Sequence, residues 1–104
     1  MDEQKVQEIW EKGRGTNDRD GAIWRKDECG AWIRREHFGH DTSEYGWKIE
    51  VTVAGGGDSI DDLRPFHRDN GFDPNTGQAR CTVTADRQAL PPTAEVDTPH
   101  NRGA

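Results

Sequence analysis

Trp47-Lys48-Ile49-Glu50-Val51-Thr52-Val53-Ala54 alternates large apolar with polar side chains, and a period of two is the mark of a β-strand with one face on a core. Its odd positions, Trp47, Ile49, Val51 and Val53, are expected to face inward. Gly55-Gly56-Gly57-Asp58 breaks the pattern. Beyond it Ile60, Leu63 and Phe66 fall at helical spacing, with Asp58 and Ser59 as candidate caps, so a short helix is expected, limited by Arg64-Pro65. Asn70-Gly71 and Asn75-Thr76-Gly77 are turn signals, and Ala79 to Thr84 reads as a short final strand.

Upstream of the strand, Ile23, Trp24, Trp32, Ile33, Phe38 and Tyr45 come at irregular spacing among Gly30, Gly39 and Gly46. Neither period holds, which predicts short elements and packed loops. Residues 14–21 contain no apolar side chain beyond glycine and should form an exposed connection. Residues 2–12 predict a helix: Val6, Ile9 and Trp10 share one face, Asp2 and Glu3 suit its start, and Gly13 is a natural stop. A helix this short is rarely stable alone, so it is expected to pack on the domain, with an independent contact arm over residues 1–19 as the alternative.

The chain has 104 residues, enough for one small domain. Only 30% are hydrophobic and 33% are charged, with a mean hydropathy of -1.11; the apolar material can fill one modest core. No run is long enough to span a membrane and the N-terminus lacks the order of a signal peptide, so a cytoplasmic location without membrane association is expected. The net charge of -6 disfavours a protein whose main affinity comes from neutralising phosphates. Cys29 and Cys81 are too few for a disulfide scaffold or a four-cysteine zinc site. Two reduced, packed thiols are expected, with a disulfide or a shared metal as the alternatives.

Trp24-Arg25-Lys26-Asp27-Glu28-Cys29-Gly30-Ala31-Trp32-Ile33 and Ser43-Glu44-Tyr45-Gly46-Trp47-Lys48-Ile49-Glu50, followed by Gly56-Gly57-Asp58, Asp62-Leu63-Arg64-Pro65-Phe66-His67 and Arg80-Cys81-Thr82-Val83-Thr84, resemble a family of small bacterial and phage HNH-endonuclease-like proteins. The resemblance covers about residues 20 to 87. It implies an α+β fold, a small HNH-like domain of the ββα-metal type, in which a hairpin packs on a helix around a divalent ion. The organisation expected is an N-terminal helix and linker over residues 1–19, the HNH-like domain over 20–87 and a disordered tail over 88–104.

The chemistry implied by that family needs an Asp and a later His or Asn on the metal, and a His beside that Asp to activate water. Here the Asp-His pair reads Glu50-Val51, and Asp62 stands in the Asn position; only His67 is unchanged. Val51 carries no titratable group, and the loss of a general base costs ~10²- to 10⁴-fold. His37 or His40 could replace that base, and Glu50, Asp62 and His67 could still hold a divalent ion. Against these stands a packed or hydrogen-bonded His67 with no cofactor at all. Asp58, Asp61, Asp62, Asp69 and Asp73 crowd a short stretch and suggest either a solvated face or an acidic surface that meets a basic partner. Arg25-Lys26 and Arg34-Arg35 with the nearby aromatics could form a local nucleic-acid site, although Trp24, Trp32 and Trp47 fit a core better. The Gly55-Gly56-Gly57 turn lacks the Lys and Ser/Thr of a phosphate loop.

The expectation is therefore a catalytically inactive HNH-like domain that binds protein, of the anti-CRISPR type, blocking a basic nucleic-acid-handling defence complex in a bacterial host. The alternative is a residual metal-dependent HNH DNA endonuclease. A DNA-binding domain of a larger machine is disfavoured by charge.

Overall fold

The computed structural model describes residues 2–57, 59–86 and 100–104. Its one α-helix among these, α1, spans Glu3–Trp10, with the Asp2 carboxylate accepting the Lys5 amide at 2.8 Å as N-cap. Val6, Ile9 and Trp10 are buried on its inner face, as their spacing requires. The helix docks rather than standing free. Arg35 bonds both Glu3 and Gln7, Trp10 Nε1 donates to the Gly21 carbonyl at 3.0 Å, and Lys12 Nζ reaches the carbonyls of Ile60 and Leu63.

Strands pair two by two and antiparallel. β1 (Trp24–Lys26) pairs with β2 (Trp32–Arg34), β3 (Trp47–Val51) with β4 (Leu63–His67), β5 (Gly71–Asp73) with β6 (Gln78–Arg80), and β7 (Val83–Thr84) with β8 (Arg102–Gly103). Val6 and Trp10 of α1 meet Ile33 of β2 and Trp47 of β3 in a compact apolar cluster. Trp10 and Trp47 lie 5.2 Å apart between ring centroids, and Phe38 covers Trp47 at 4.7 Å.

The predicted strand is confirmed over Trp47–Val51, but Val53 lies beyond it and is 47% exposed. The helix expected over 60–66 is not formed. Residues Ile60–Asp62 make a single tight turn capped by Ser59, and Leu63–His67 then run as β4 against β3. Spacing misled here because Leu63 and Phe66 point to opposite faces of the ribbon and both are buried, at 3% and 0%. Pro65 is compatible with this strand. The Thr52 amide donates to Asp62 O and the Arg68 amide to Gly46 O, so even-numbered residues carry the ladder, and Pro65, opposite Ile49, owes it no N–H.

The helix that the resemblance places after this hairpin is absent among the described residues; β5 and β6 stand there instead. The final strand divides into β6 and β7. The expected tail also needs correction: residues 88–99 lie outside the described residues, but residues 100–104 are described and Arg102–Gly103 pair with Val83–Thr84. Asn101 secures that return, accepting the Trp32 amide at 2.6 Å and donating to the carbonyls of Trp32 and Glu44.

Cys29 and Cys81 form a disulfide with Cα atoms 5.5 Å apart. This corrects the expectation of two reduced thiols, and it joins the turn after β1 to the segment before β7 across a sequence separation of 52.

Candidate functional site

The three residues expected to hold a metal are split by the β3–β4 ribbon. Directly opposed residues of an antiparallel pair share a face. Glu50 opposes Arg64, whereas His67 opposes Trp47, so Glu50 and His67 belong to opposite faces. Asp62 follows Glu50's face through its pairing with Thr52, and its carboxylate turns toward the Gly57 amide at 3.4 Å. Glu50 itself pairs with Lys48 at 3.4 Å.

His67 is 2% exposed and both ring nitrogens are committed. Nδ1 accepts the Asp69 amide at 3.0 Å, which fixes the proton on Nε2, and Nε2 donates to the Glu44 carbonyl at 2.6 Å. A metal would have to displace one of these bonds inside the fold. The donor set does not fit a divalent ion, and no cluster of three His, Cys, Asp or Glu able to hold one occurs among the described residues.

His37 and His40, the possible substitutes for the lost base, sit together in the loop before β3, their rings stacked at 5.2 Å. His37 Nδ1 shares a hydrogen bond of 2.6 Å with Ser43 Oγ. Burial, then the charges of His40 and Arg34, hold its pKa below the usual value against the pull of Glu36. Gly46 closes this loop: a Cβ there would lie 1.9 Å from the His40 carbonyl oxygen, so no other residue fits.

The acidic set is also dispersed. Asp58 lies outside the described residues. Asp61 and Asp62 stand at one end of β4 and Asp69 beyond the other, separated by the five residues Leu63–His67, or ~17 Å of extended chain. Asp69 pairs with Arg68 at 3.1 Å. Asp73 accepts the Asn75 amide at 2.9 Å to shape the β5–β6 turn. The aromatics of the possible nucleic-acid site are largely engaged: Trp24 packs on Trp32 and Tyr45, with Arg34 over its ring at 5.0 Å, and Arg34 pairs with Glu36.

What the fold does build is a buried polar knot with a cleft beside it. Asp27, 1% exposed, accepts the Ala31 amide on Oδ1 and both the His67 amide and Asn70 Nδ2 on Oδ2, each at 2.9 Å. Asn70, 2% exposed, accepts the amides of Thr82 and Val83 and donates onward to the Val83 carbonyl. Reading the sequence missed this pair: it gives Asp27 no role of its own and takes Asn70-Gly71 as a turn signal. The only available signal was an Asp four residues before Ala31 in a Gly-containing turn.

The cleft, about 420 Å³, is lined by Lys12, Arg14, Glu28, Arg64, Pro65 and Asp86 beside the knot. Asp86 is its hub, bonded by Arg14 and by Lys26 at 3.1 Å each. Burial raises the Asp86 pKa, but hydrogen bonds from Lys26 and Arg14, together with their charges, outweigh it and hold the carboxyl below its usual value. Gly30 lets that carboxylate in: its φ is +86°, and a Cβ would lie 2.3 Å from Asp86 Oδ2.

The chain matches no family model, no curated protein and no solved structure with which it was compared. Among the described residues, no helix is long and apolar enough to cross a membrane.

Proposed function

We propose that this chain is a non-catalytic binding module, an HNH-like hairpin whose hydrolytic groups have been replaced or turned to structural use. The observation that carries the reading is His67. The one unaltered residue of the implied catalytic set spends both ring nitrogens on the protein's own backbone, and Val51 has no proton to exchange. Binding then has to come from the surface. With a net charge of -6, that surface favours a basic partner through long-range attraction, and the version advanced here is an inhibitor of a nucleic-acid-handling defence complex, as anti-CRISPR proteins are.

Dispersal of the acidic residues shapes the test. Capture on the tagged chain from host extract, with and without added nuclease, should yield a protein partner in both cases. Affinity of the purified pair should fall with added salt and by several-fold in Asp61→Lys, an exposed position. A complex indifferent to salt and to reversal at Asp61 and Asp69 removes the electrostatic version. Plasmid incubated with the chain and Mg²⁺, Mn²⁺ or Ni²⁺ should remain uncut. Nicking that disappears in Glu50→Gln overturns the non-catalytic reading.

A further inference from the structure

Asp86 occupies its cradle much as a bound anion would. Its carboxylate lies between Arg14 Nη2 and Lys26 Nζ, 3.1 Å from each, over a glycine that leaves the necessary space. Lys12 and Arg64 line the same cleft. The acids nearby do not fill this role: Asp27 is consumed by the amides of Ala31, His67 and Asn70, and Glu28 is exposed at the rim. Without Asp86, Arg14 and Lys26 would lose the carboxylate they share, beside Arg64 in the cleft and with Glu28 at its rim.

Asp86 is delivered by a segment whose one covalent cross-link is the disulfide. The other ties of residues 81–86 are non-covalent: Asn70 to the amides of Thr82 and Val83, the pairing of Val83–Thr84 with Arg102–Gly103, Ala104 N to Thr82 O, Arg102 to the Asp86 carbonyl, Ala85 N to Gly30 O, Thr84 Oγ1 to Cys29 O, and the ion pairs of Asp86 itself. Cys81 is exposed whereas Cys29 is 9% exposed, so a thiolate from solvent reaches the Cys81 sulfur first. Attack there forms a mixed disulfide at Cys81 and releases Cys29 as the leaving thiolate. A second thiol resolves the mixed disulfide, giving two protein thiols and one oxidised small-thiol dimer.

We propose that the cradle filled by Asp86 is an oxyanion site, and that the Cys29–Cys81 disulfide gates it. In the oxidised protein Asp86 is the built-in occupant. Reduction loosens residues 81–86, withdraws the carboxylate, and opens Arg14 and Lys26, with Arg64 beside them, to a phosphate-like anion. A reducing compartment would hold the site open and an oxidising one would close it.

Inorganic phosphate is the probe. Calorimetric titration of the oxidised full chain should show little binding, and Asp86→Ala, still oxidised, should gain at least tenfold in affinity. Arg14→Ala added to Asp86→Ala should cancel the gain. No gain in Asp86→Ala overturns the site. Reduction of wild type by a small thiol should raise its phosphate affinity toward that of the variant and speed amide exchange at 82–86, while tryptophan fluorescence of the Trp10–Trp47 cluster stays native. Unchanged affinity and exchange on reduction overturn the gate. So does a reduced protein whose tryptophan signal is that of the unfolded chain, because the bond is then a staple of the whole fold. Mass spectrometry of the quenched reaction should find the small thiol on Cys81; finding it on Cys29 overturns the order of attack.

Discussion

Trp10 and Trp47 meet in the middle of one half of the molecule, Asp27 and Asn70 in the middle of the other, and the two halves are held by different physics. In the first, Val6, Trp10, Ile33 and Trp47 are almost wholly removed from water, and each such side chain contributes roughly 1.5–3 kcal/mol without demanding a particular partner. In the second, buried Ala31 and Phe66 flank the knot, but closure also depends on directional bonds, a disulfide and the ion pairs of Asp86. This second half relies on satisfying buried polar groups completely, an arrangement that fails abruptly when one partner is lost.

The largest effect expected tests the apolar half. Trp47→Ala, at a residue 1% exposed, should cost about 4–5 kcal/mol in urea unfolding, and a loss under about 1 kcal/mol would show that the cluster is not the main support. Cys29→Ser with Cys81→Ser probes the other half. Chain entropy for this loop sets a ceiling of about 4 kcal/mol, and the deficit relative to wild type should vanish when both proteins are measured under reducing conditions. Asp27→Asn changes no volume but sets an NH₂ among three donors, for an expected loss of about 2–3 kcal/mol. The contrast between the halves fails if this variant is as stable as wild type.

Acidity should separate the halves at smaller scale, with the effects entering at different pH. Burial, His40 and Arg34 depress the His37 pKa in the fold, so the unfolded chain takes up the proton first. Stability falls as pH drops below 6.5, the ordinary value of a histidine, toward the lower folded value, and His37→Gln should flatten that part of the profile. Asp86 is likewise depressed by Lys26 and Arg14 despite its burial. Its contribution is intact above 3.8, the value of an unperturbed Asp, and disappears as pH falls through the folded value; Asp86→Asn should remove this lower step and leave the His37 step in place.

Legibility in the sequence followed the same division. The helix over Glu3–Trp10 buries one face, and the strand over Trp47–Val51 alternates apolar with polar residues, although of its odd positions only Trp47 is fully buried and Ile49 and Val51 are half-buried, so both periods are visible. β4 buries Leu63 on one face and Phe66 on the other, and a strand covered on both sides has no period of two to read. The polar half gave almost no signal. An Asp in a turn and an Asn before a Gly are ordinary surface residues until Asp27 Oδ2 is found on Asn70 Nδ2, and two cysteines far apart in sequence say nothing about their distance in space. The proposed metal residues had the reverse fault. Glu50, Asp62 and His67 are expected together from a resemblance in sequence, but the facing of side chains across β3–β4 puts His67 on the opposite face from the other two.

Asn70 precedes Gly71, and an Asn-Gly pair in a loose chain is prone to lose ammonia through a cyclic imide, leaving aspartate or its isomer. In the folded protein the Asn70 amide is buried and bonded on both its atoms, which keeps it from turning on the Gly71 nitrogen. Each excursion out of the fold exposes it, and the product would set a second carboxylate against Asp27 where a donor is needed. Ageing of this protein in storage is therefore a record of how long it has spent unfolded, written irreversibly at one residue.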